Sequence, residues 1–305
     1  MNKLLKKLYK ELVPTSIRSN IDIFRQDAFL KNIRIRILDH YKDSDPNPEH
    51  DQISKAISYL KINPLHMFPY DFIHKYDSQR VKVLNDGKND YKYVIYENKR
   101  LYYPLGWSSE NIKYSHSFSC LEQDNESPHS YASSSFIYND RDIAVDAGAA
   151  EGNFSLSIVD KVKKLYIFEC TEGWITPLKK TFEPWREKVE IIPIKLSNRS
   201  TSESTTLDQF FAEKNELPTI LKIDVDGGEK DLLNGASRIL EQSDQLKVSL
   251  CTYHKKNDHK DFKELLEKLS FKVRTSNGYM IFYLDEPLQK PYLRKALIFA
   301  SKINL

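Results

Sequence analysis

The stretch I-A-V-D-A-G-A-A-E-G, residues 143 to 152, decides the fold class of this chain. A short apolar strand stops at Asp146, the backbone turns through Gly148 toward Gly152, and a helical pattern of Phe154, Ile158 and Val162 begins at once. Strand, glycine turn and helix in this order read as the first unit of a nucleotide-type cofactor site. Glycine has no Cβ and tolerates positive φ, so the backbone can come close to a ligand, and the helix offers unpaired N–H groups at its start.

Downstream of the turn, strand and helix alternate. Strands are predicted at 143–147, 165–169, 189–196, 219–224, 246–252, 271–275 and 279–284. Helices are predicted at 153–162, 173–183, 206–215, 228–241 and 258–269. Such alternation predicts a mainly parallel sheet covered on both faces. Only Thr275 to Gly278 separates the final two strands, with no crossover helix, so that pair is expected to be antiparallel. The fold class is therefore α/β and Rossmann-like, with a seven-stranded mainly parallel sheet, an antiparallel last strand pair and an N-terminal α+β extension.

Upstream, residues 1–41 alternate Lys and Arg with Leu4, Leu5, Leu8, Ile17, Ile21, Phe24, Phe29, Ile33 and Ile37, broken at Pro14. Short amphipathic helices are expected there. They would pack on their own domain, on a second copy of the chain, or on an anionic membrane surface. Residues 42–52, with Pro46 and Pro48, read as a linker. Ile53, Ala56, Ile57 and Leu60 have helical spacing; residues 81–84, 91–96 and 100–103 have strand composition, with a tight turn at Glu97-Asn98-Lys99. The polar run Glu122 to Tyr131 reads as a solvated loop or, since Glu122, Asp124, Ser127 and His129 sit where the chain crosses into the core domain, as a loop covering the cofactor or acceptor pocket, which would make Glu122, Asp124 and His129 candidate acceptor contacts. The division expected is 1–118 as an extension that shapes the acceptor site or an oligomer contact, 119–290 as the core domain and 291–305 as a tail.

Composition excludes several classes. The chain has 305 residues, with 46 Lys and Arg against 43 Asp and Glu, a net charge of +3, too balanced for a nucleic-acid-binding surface. Cys120, Cys170 and Cys251 lie far apart without a C-x-x-C pair, so neither a zinc ribbon nor a disulfide framework is indicated. No apolar run reaches the roughly 18 residues that span a bilayer. A cytoplasmic protein, peripheral to the inner face of the membrane if the basic helices dock there, is the expectation.

Two features of the turn select the cofactor. A dinucleotide fingerprint beginning at Gly148 would need glycine at positions occupied by Ala150 and Asn153. Glu169 ends the next strand, where a carboxylate can accept hydrogen bonds from both hydroxyls of an adenosine ribose. Asp146 at the strand end would repel a pyrophosphate and suit the cationic amino group of a methionine moiety. The residues therefore favour S-adenosylmethionine over NAD.

V-D-A-G-A-A-E-G-N-F-S-L (145–156), I-F-E (167–169), T-L-D-Q-F-F (206–211) and L-K-I-D-V-D-G-G-E-K-D-L-L-N-G-A (221–236) resemble, in order and spacing, the motifs of the FkbM family of S-adenosylmethionine-dependent methyltransferases. The resemblance covers roughly 140–285, and its most specific block is 221–236. It implies a class I methyltransferase fold and O-methylation of sugar or polyketide hydroxyls, with polysaccharide biosynthesis as the setting. Two departures, Glu151 near the turn and Asp226-Gly227-Gly228 in the later block, leave the acceptor open. The competing readings are a Rossmann-fold NAD(P)-dependent oxidoreductase and a catalytically silent binding protein that keeps the methyltransferase fold.

Roles follow from strand ends, because ligands in open α/β sheets bind beyond the carboxyl ends of the strands. Asp146, Gly148, Ala149, Glu151, Gly152 and Asn153 are expected to line the methionine end of the cofactor. Glu169 and Cys170 fall at the ribose, and Ser197 near the adenine. Asp224 is expected to face the transferred methyl or the acceptor, or else to tie down neighbouring backbone N–H groups, and His254, with an unperturbed pKa near 6.5, is the candidate general base. Tyr253 and Lys255 flank it as acceptor contacts, and Asp226 with Glu229 has the spacing of a capping box. Were a divalent metal used, Asp224, Asp226 and His254 could hold it.

Overall fold

The computed structural model describes residues 15–43, 50–131, 137–214, 216–283 and 288–302, with backbone alone for 15–26 and residue 50. Residues 1–14, most of the linker, 132–136 after the polar run, 215, 284–287 and the last three residues lie outside the described set.

The N-terminal unit starts with helices α1 (Thr15–His40) and α2 (His50–Ile62), so the second helix takes the end of the expected linker. A small antiparallel sheet follows, β1 (Leu84–Asn85), β2 (Lys92–Tyr96) and β3 (Lys99–Tyr102). Glu97 and Asn98 turn it with φ of 47° and 63°, the left-handed pair that a two-residue hairpin needs to match strand twist. Helix α3 (Ser109–Glu122), capped by Ser108 Oγ accepting from Asn111 N at 3.1 Å, then carries the chain to the core.

The core contains β4 (Ile143–Ala147), α4 (Asn153–Ile158), β5 (Lys164–Phe168), α5 (Glu172–Thr181) and β6 (Val189–Ile192). It continues with β7 (Lys195–Leu196), β8 (Ser204–Thr205), α6 (Leu207–Phe210), β9 (Ile220–Ile223), α7 (Glu229–Asn234) and α8 (Ser237–Gln242). It closes with β10 (Lys247–Cys251), α9 (Asp258–Lys268), β11 (Lys272–Thr275) and β12 (Leu297–Ser301). Seven strands form one sheet in the order β11-β12-β10-β9-β4-β5-β6. All pairs are parallel except those of β12, which is antiparallel to both β10 and β11. The chain winds outward from β4 to β6 and then returns to β9 on the other side of β4. This places the switch point, where loops diverge and leave a crevice, between the carboxyl ends of β4 and β9. Every residue of β4 and β9 is buried, as strands covered on both faces require.

Three expectations are corrected. The last strand is not 279–284 but 297–301, inserted between β10 and β11 from within the expected tail. The Y-M-I-F-Y run has strand composition, yet only Met280 forms an isolated bridge, to Arg294. Its Ile281 instead joins Ile33, Ile37, Leu60 and Leu293 in a separate cluster that fastens the N-terminal helices to the core. The predicted 189–196 strand ends at Ile192, with 195–196 in a separate two-stranded ribbon. The predicted 228–241 helix breaks at Gly235, whose added Cβ would lie 2.0 Å from the Ser197 carbonyl oxygen. Among the described residues no helix is long and apolar enough to cross a membrane.

Candidate active site

After Ala147 the backbone turns with φ of 77° at Gly148, 46° at Ala150 and 82° at Gly152. Gly148 N donates to Phe168 O at 2.9 Å, and an added Cβ would lie 1.8 Å from the carbonyl oxygen of Asp224. Only glycine lets the loops after β4 and β9 come this close. Gly152 packs as tightly on the flanking helix: its Cβ would sit 2.7 Å from Leu178 Cδ2. Glu169, buried at the end of β5, accepts from Ala150 N at 2.8 Å and from Thr171 N at 2.7 Å, so it holds the turn open with one lone pair left on each oxygen. Asn153, the first residue of α4, accepts from Phe154 N through its Oδ1 at 2.8 Å, and Ala149 is buried in the turn.

Asp146 does not present its charge to the crevice. It is fully buried, 3.0 Å from Lys222 Nζ on the paired position of β9, and accepts from Ser155 Oγ at 2.7 Å. Lys222 also donates to Gly148 O and lies 5.1 Å from the centre of the Tyr131 ring. Burial lowers its pKa, but Asp146 and Asp224 outweigh that and raise it, so it stays charged. The fit expected between Asp146 and a methionine amino group is thereby replaced: Lys222 takes that partner. Ser197 and Cys170 are likewise not brought to the turn. Ser197 sits against Gly235 beyond the β7–β8 ribbon, Ile192 occupies the strand end beside Glu169, and Cys170 is exposed.

Around Asp224 the elements converge. Tyr131 OH donates to Oδ2 at 2.6 Å, Tyr253 OH to Oδ1 at 3.5 Å, and the ring nitrogens of His129 and His254 lie at 3.6 and 3.7 Å. Burial alone would raise the Asp224 pKa, but His129, Lys222 and His254 hold it well below the ordinary carboxylate range. Burial pushes Tyr131, Tyr253 and Cys251 well above theirs, so these stay neutral.

His254 is not the free base that its sequence position suggested. Its Nδ1 lies 3.0 Å from Glu229 Oε1, out of hydrogen-bonding alignment, and its Nε2 lies 3.7 Å from both Asp224 and Asp226. Burial lowers its pKa, yet Asp226, Glu229 and Asp224 push it up to about 10. An imidazolium at neutral pH accepts no proton. The proposed capping box is half present: Glu229 Oε1 accepts from Val225 N at 3.0 Å and Gly227 N at 3.2 Å, while Asp226 has a φ of 51° and points into solvent. Ligand atoms of Asp224, Glu229 and His254, and separately of His129, Asp224 and Cys251, lie within 4.8 Å of one another, and Asp226 is in neither of these clusters.

The other loop candidates divide. Asp124 accepts from Tyr76 OH at 2.7 Å and pairs with Lys75, which ties the loop to the N-terminal unit rather than to the crevice. Lys255 is exposed and braces Gly227 O. Ser127 Oγ accepts from His129 N at 3.1 Å and so orients that residue. Glu122 is within electrostatic reach of His129, Asp224 and Lys222, and Glu151 of Glu122, Lys222 and Glu169. Burial, with Asp224 adding to it, pushes Glu122 up to about 7 against the lowering by His129 and Lys222. Burial, reinforced by Glu122 and Glu169, pushes Glu151 up to about 7 as well; it accepts from Ser119 Oγ.

A raised carboxyl pKa carries a stability cost with a definite sign. As pH rises from the ordinary value near 4.3, the unfolded chain loses its proton while folded Glu151 keeps it until about 7, so stability falls through that window. Glu151→Gln is therefore expected to be more stable than wild type at pH about 8, by a margin that shrinks toward pH about 5. Urea denaturation at the two pH values checks this, and an equal margin at both would refute it.

Sequence reasoning missed Lys222, Tyr131 and Cys251. A lysine inside the apolar run I-L-K-I-D was the available signal, because a buried strand holds a lysine only with a counter-charge beside it. A cleft of about 1120 Å³ lies elsewhere, lined by Lys99, Asp160, Lys180 and Trp185.

Residues 172–281 match the model of the methyltransferase FkbM domain, which bears out the resemblance read in the sequence over that stretch. No curated protein matches the chain. Among solved structures, methyltransferase FkbM from Methylobacillus flagellatus KT is 15% identical over 63% of this chain, with a TM-score of 0.47. The match spans about half of that protein, 53% of its length. An rRNA methylase from Streptococcus thermophilus is 16% identical, covering 55% of this chain and 90% of its own, with a TM-score of 0.35. A Streptococcus mutans protein solved in complex with SAH is 16% identical, covering 54% and 91%, with a TM-score of 0.36.

Proposed function

We propose that this protein is an S-adenosylmethionine-dependent O-methyltransferase acting on a hydroxyl of a sugar, glycan or glycolipid precursor. The observation that carries the reading is the charge of the crevice. Glu122, Glu151, Glu169 and Asp224 surround the glycine turn, and Lys222 beside them is already paired with Asp146. Such a wall suits a ligand bearing a sulfonium and an ammonium, and disfavours a pyrophosphate. Glu169, with a free lone pair on each oxygen, is the group for the ribose hydroxyls; Gly148, Ala149, Glu151, Gly152 and Asn153 form the cradle for the methionine end.

Methyl transfer to an alcohol needs the oxygen, the methyl carbon and the sulfur in line, and a base for the hydroxyl proton as the bond forms. Glu122 takes the base role in place of His254, because a carboxyl poised near neutrality is half ionised at working pH and a strong enough base once ionised. Asp224 is held ionised by its neighbours and acts by orienting Tyr131, Tyr253 and His129 around the acceptor. His254, as an imidazolium, keeps the surrounding carboxylates charged and the β9 loop in place. The silent-protein alternative requires Asp224 and His254 to be remote from the crevice; their position 3.7 Å apart after β9 and β10 supports the enzyme reading instead.

Isothermal titration with S-adenosylhomocysteine and with NAD tests the reading: heat is expected with the first and not the second, and no heat with S-adenosylhomocysteine would overturn it. Glu169→Gln should weaken S-adenosylhomocysteine binding by roughly 10- to 100-fold, since one charge-assisted acceptor is lost at the ribose. Unchanged affinity in the same titration would move the ribose elsewhere.

A further inference from the structure

A second cleft, about 740 Å³, opens between the N-terminal helices, the loop before the core and the segment after β11. It lies at the carboxyl end of β11, on the same side of the sheet as the crevice, and shares a wall with it. That wall is the loop 127–131. His129 and Tyr131 reach Asp224 from one side of the loop, while Ser127 and Ser130 line the cleft on the other. The cleft is also built rather than incidental. Gln52 on α2 accepts from Gly278 N and donates to Asn277 Oδ1 at 3.2 Å, and Tyr70 OH accepts from Tyr279 N at 2.8 Å. Gly278 itself, at a φ of 87°, has room for a Cβ only 3.4 Å from Pro128 and 3.2 Å from Tyr70 OH, so the three segments meet at one point.

The lining identifies the ligand class. Carboxamides of Gln52, Asn125 and Asn277 and hydroxyls of Thr275 and Ser276 dominate it, with the stacked rings of Tyr70 and Phe72 at one end. Glu126, its one carboxylate, is already held by Lys75, and Lys55 by Asp51, which leaves Arg274 as an exposed cation with no ion-pair partner among the described residues. Planar amides that both donate and accept, hydroxyls, and an aromatic face are the complement of a polyhydroxylated ring; they offer little to a lipid chain or a peptide core. We infer that this cleft is an acceptor subsite that binds the saccharide units flanking the one that receives the methyl group. This rests on the methyl-transfer reading of the neighbouring crevice and adds that the acceptor is a chain of sugars rather than a single ring. The N-terminal unit, through Gln52 on α2 and Tyr70 in the segment after it, then contributes directly to acceptor choice.

The test uses the full-length protein saturated with S-adenosylhomocysteine, fluorescently labelled and applied to an array of defined mono- to hexasaccharides. Wild type is expected to bind chains of two or more units in preference to monosaccharides. Asn277→Ala and Arg274→Ala, both at exposed positions where folding is not at risk, are each expected to weaken that binding at least tenfold while S-adenosylhomocysteine affinity, measured by titration on the same samples, stays unchanged. Saccharide binding that ignores both substitutions, or an array with no saccharide bound by a protein that does bind S-adenosylhomocysteine, would overturn the subsite and leave the methyltransferase reading standing. Loss of S-adenosylhomocysteine binding in wild type would instead remove the reading on which the subsite rests.

Discussion

Gly148→Ala is expected to abolish S-adenosylhomocysteine binding and to lower the unfolding free energy by several kcal/mol. Two costs combine. A non-glycine residue at a φ of 77° carries roughly 1–2 kcal/mol of backbone strain. The larger cost is steric: the new Cβ would stand 1.8 Å from the Asp224 carbonyl oxygen, inside any real contact, and backbone cannot step aside as a flexible side chain can. The loops after β4 and β9 must then separate. That breaks the bond from Asp224 N to Ala147 O, 3.0 Å long, and displaces the turn on which the cofactor would rest. Calorimetric titration and urea denaturation together read the two effects. Gly87→Ala is the control, since nothing lies within 4 Å of its Cβ, and it should leave both unchanged. A Gly148→Ala protein with wild-type cofactor affinity would mean that the cofactor does not lie on this turn.

What the sequence disclosed and what it hid follow from the range of the interactions. The turn was legible because its requirements are local: a strand end, two glycines and an acid at the end of the next strand are set by backbone geometry within one βαβ unit. The parallel core was legible because strands buried on both faces read as short apolar runs. The last strand was not. Tyr279-Met280-Ile281-Phe282-Tyr283 and Ala296-Leu297-Ile298-Phe299-Ala300 are equally strand-like in composition, and the choice between them was made by tertiary contacts. Ile281 fills a gap among Ile33, Ile37 and Leu60, leaving the later run to complete the sheet.

The same limit governs the site. Glu169 and Asp224 could be placed because they end strands. The charge state of His254 could not, because it is set by Glu229 and Asp226, brought against it across the β9–β10 connection, and a residue-by-residue reading left it at its unperturbed value. Glu122 shows the converse. It looked like one acid in a polar, solvated run, but it ends helix α3, which the sequence reading did not predict, and the helix carries it into the crevice. Lys222 and Asp146 explain each other only when β4 and β9 are seen to pair in register.

Glu122→Gln is expected to lower methyl transfer by roughly 10²- to 10⁴-fold, the usual span for a general base. S-adenosylhomocysteine affinity should fall far less than the rate, because the amide keeps the volume and the acceptor oxygen and Glu122, pushed up to about 7, is only partly ionised near neutrality. The pH dependence separates this from a structural effect. The base must be ionised, and burial holds Glu122 protonated up to about 7, so the wild-type rate should climb about tenfold per pH unit below that value and level off above it. In Glu122→Gln the residual rate should lose that climb. Folding should not confuse the result, since a neutral amide removes the cost of ionising a buried carboxyl and leaves the variant at least as stable as wild type above neutrality. Formation of S-adenosylhomocysteine from S-adenosylmethionine in the presence of a saccharide acceptor, followed from pH about 5.5 to 9, measures both quantities. A variant that stays within tenfold of wild type, or that keeps the same climb, would return the proton to another group, and His129, 3.6 Å from Asp224 on the same loop, would be the next to examine.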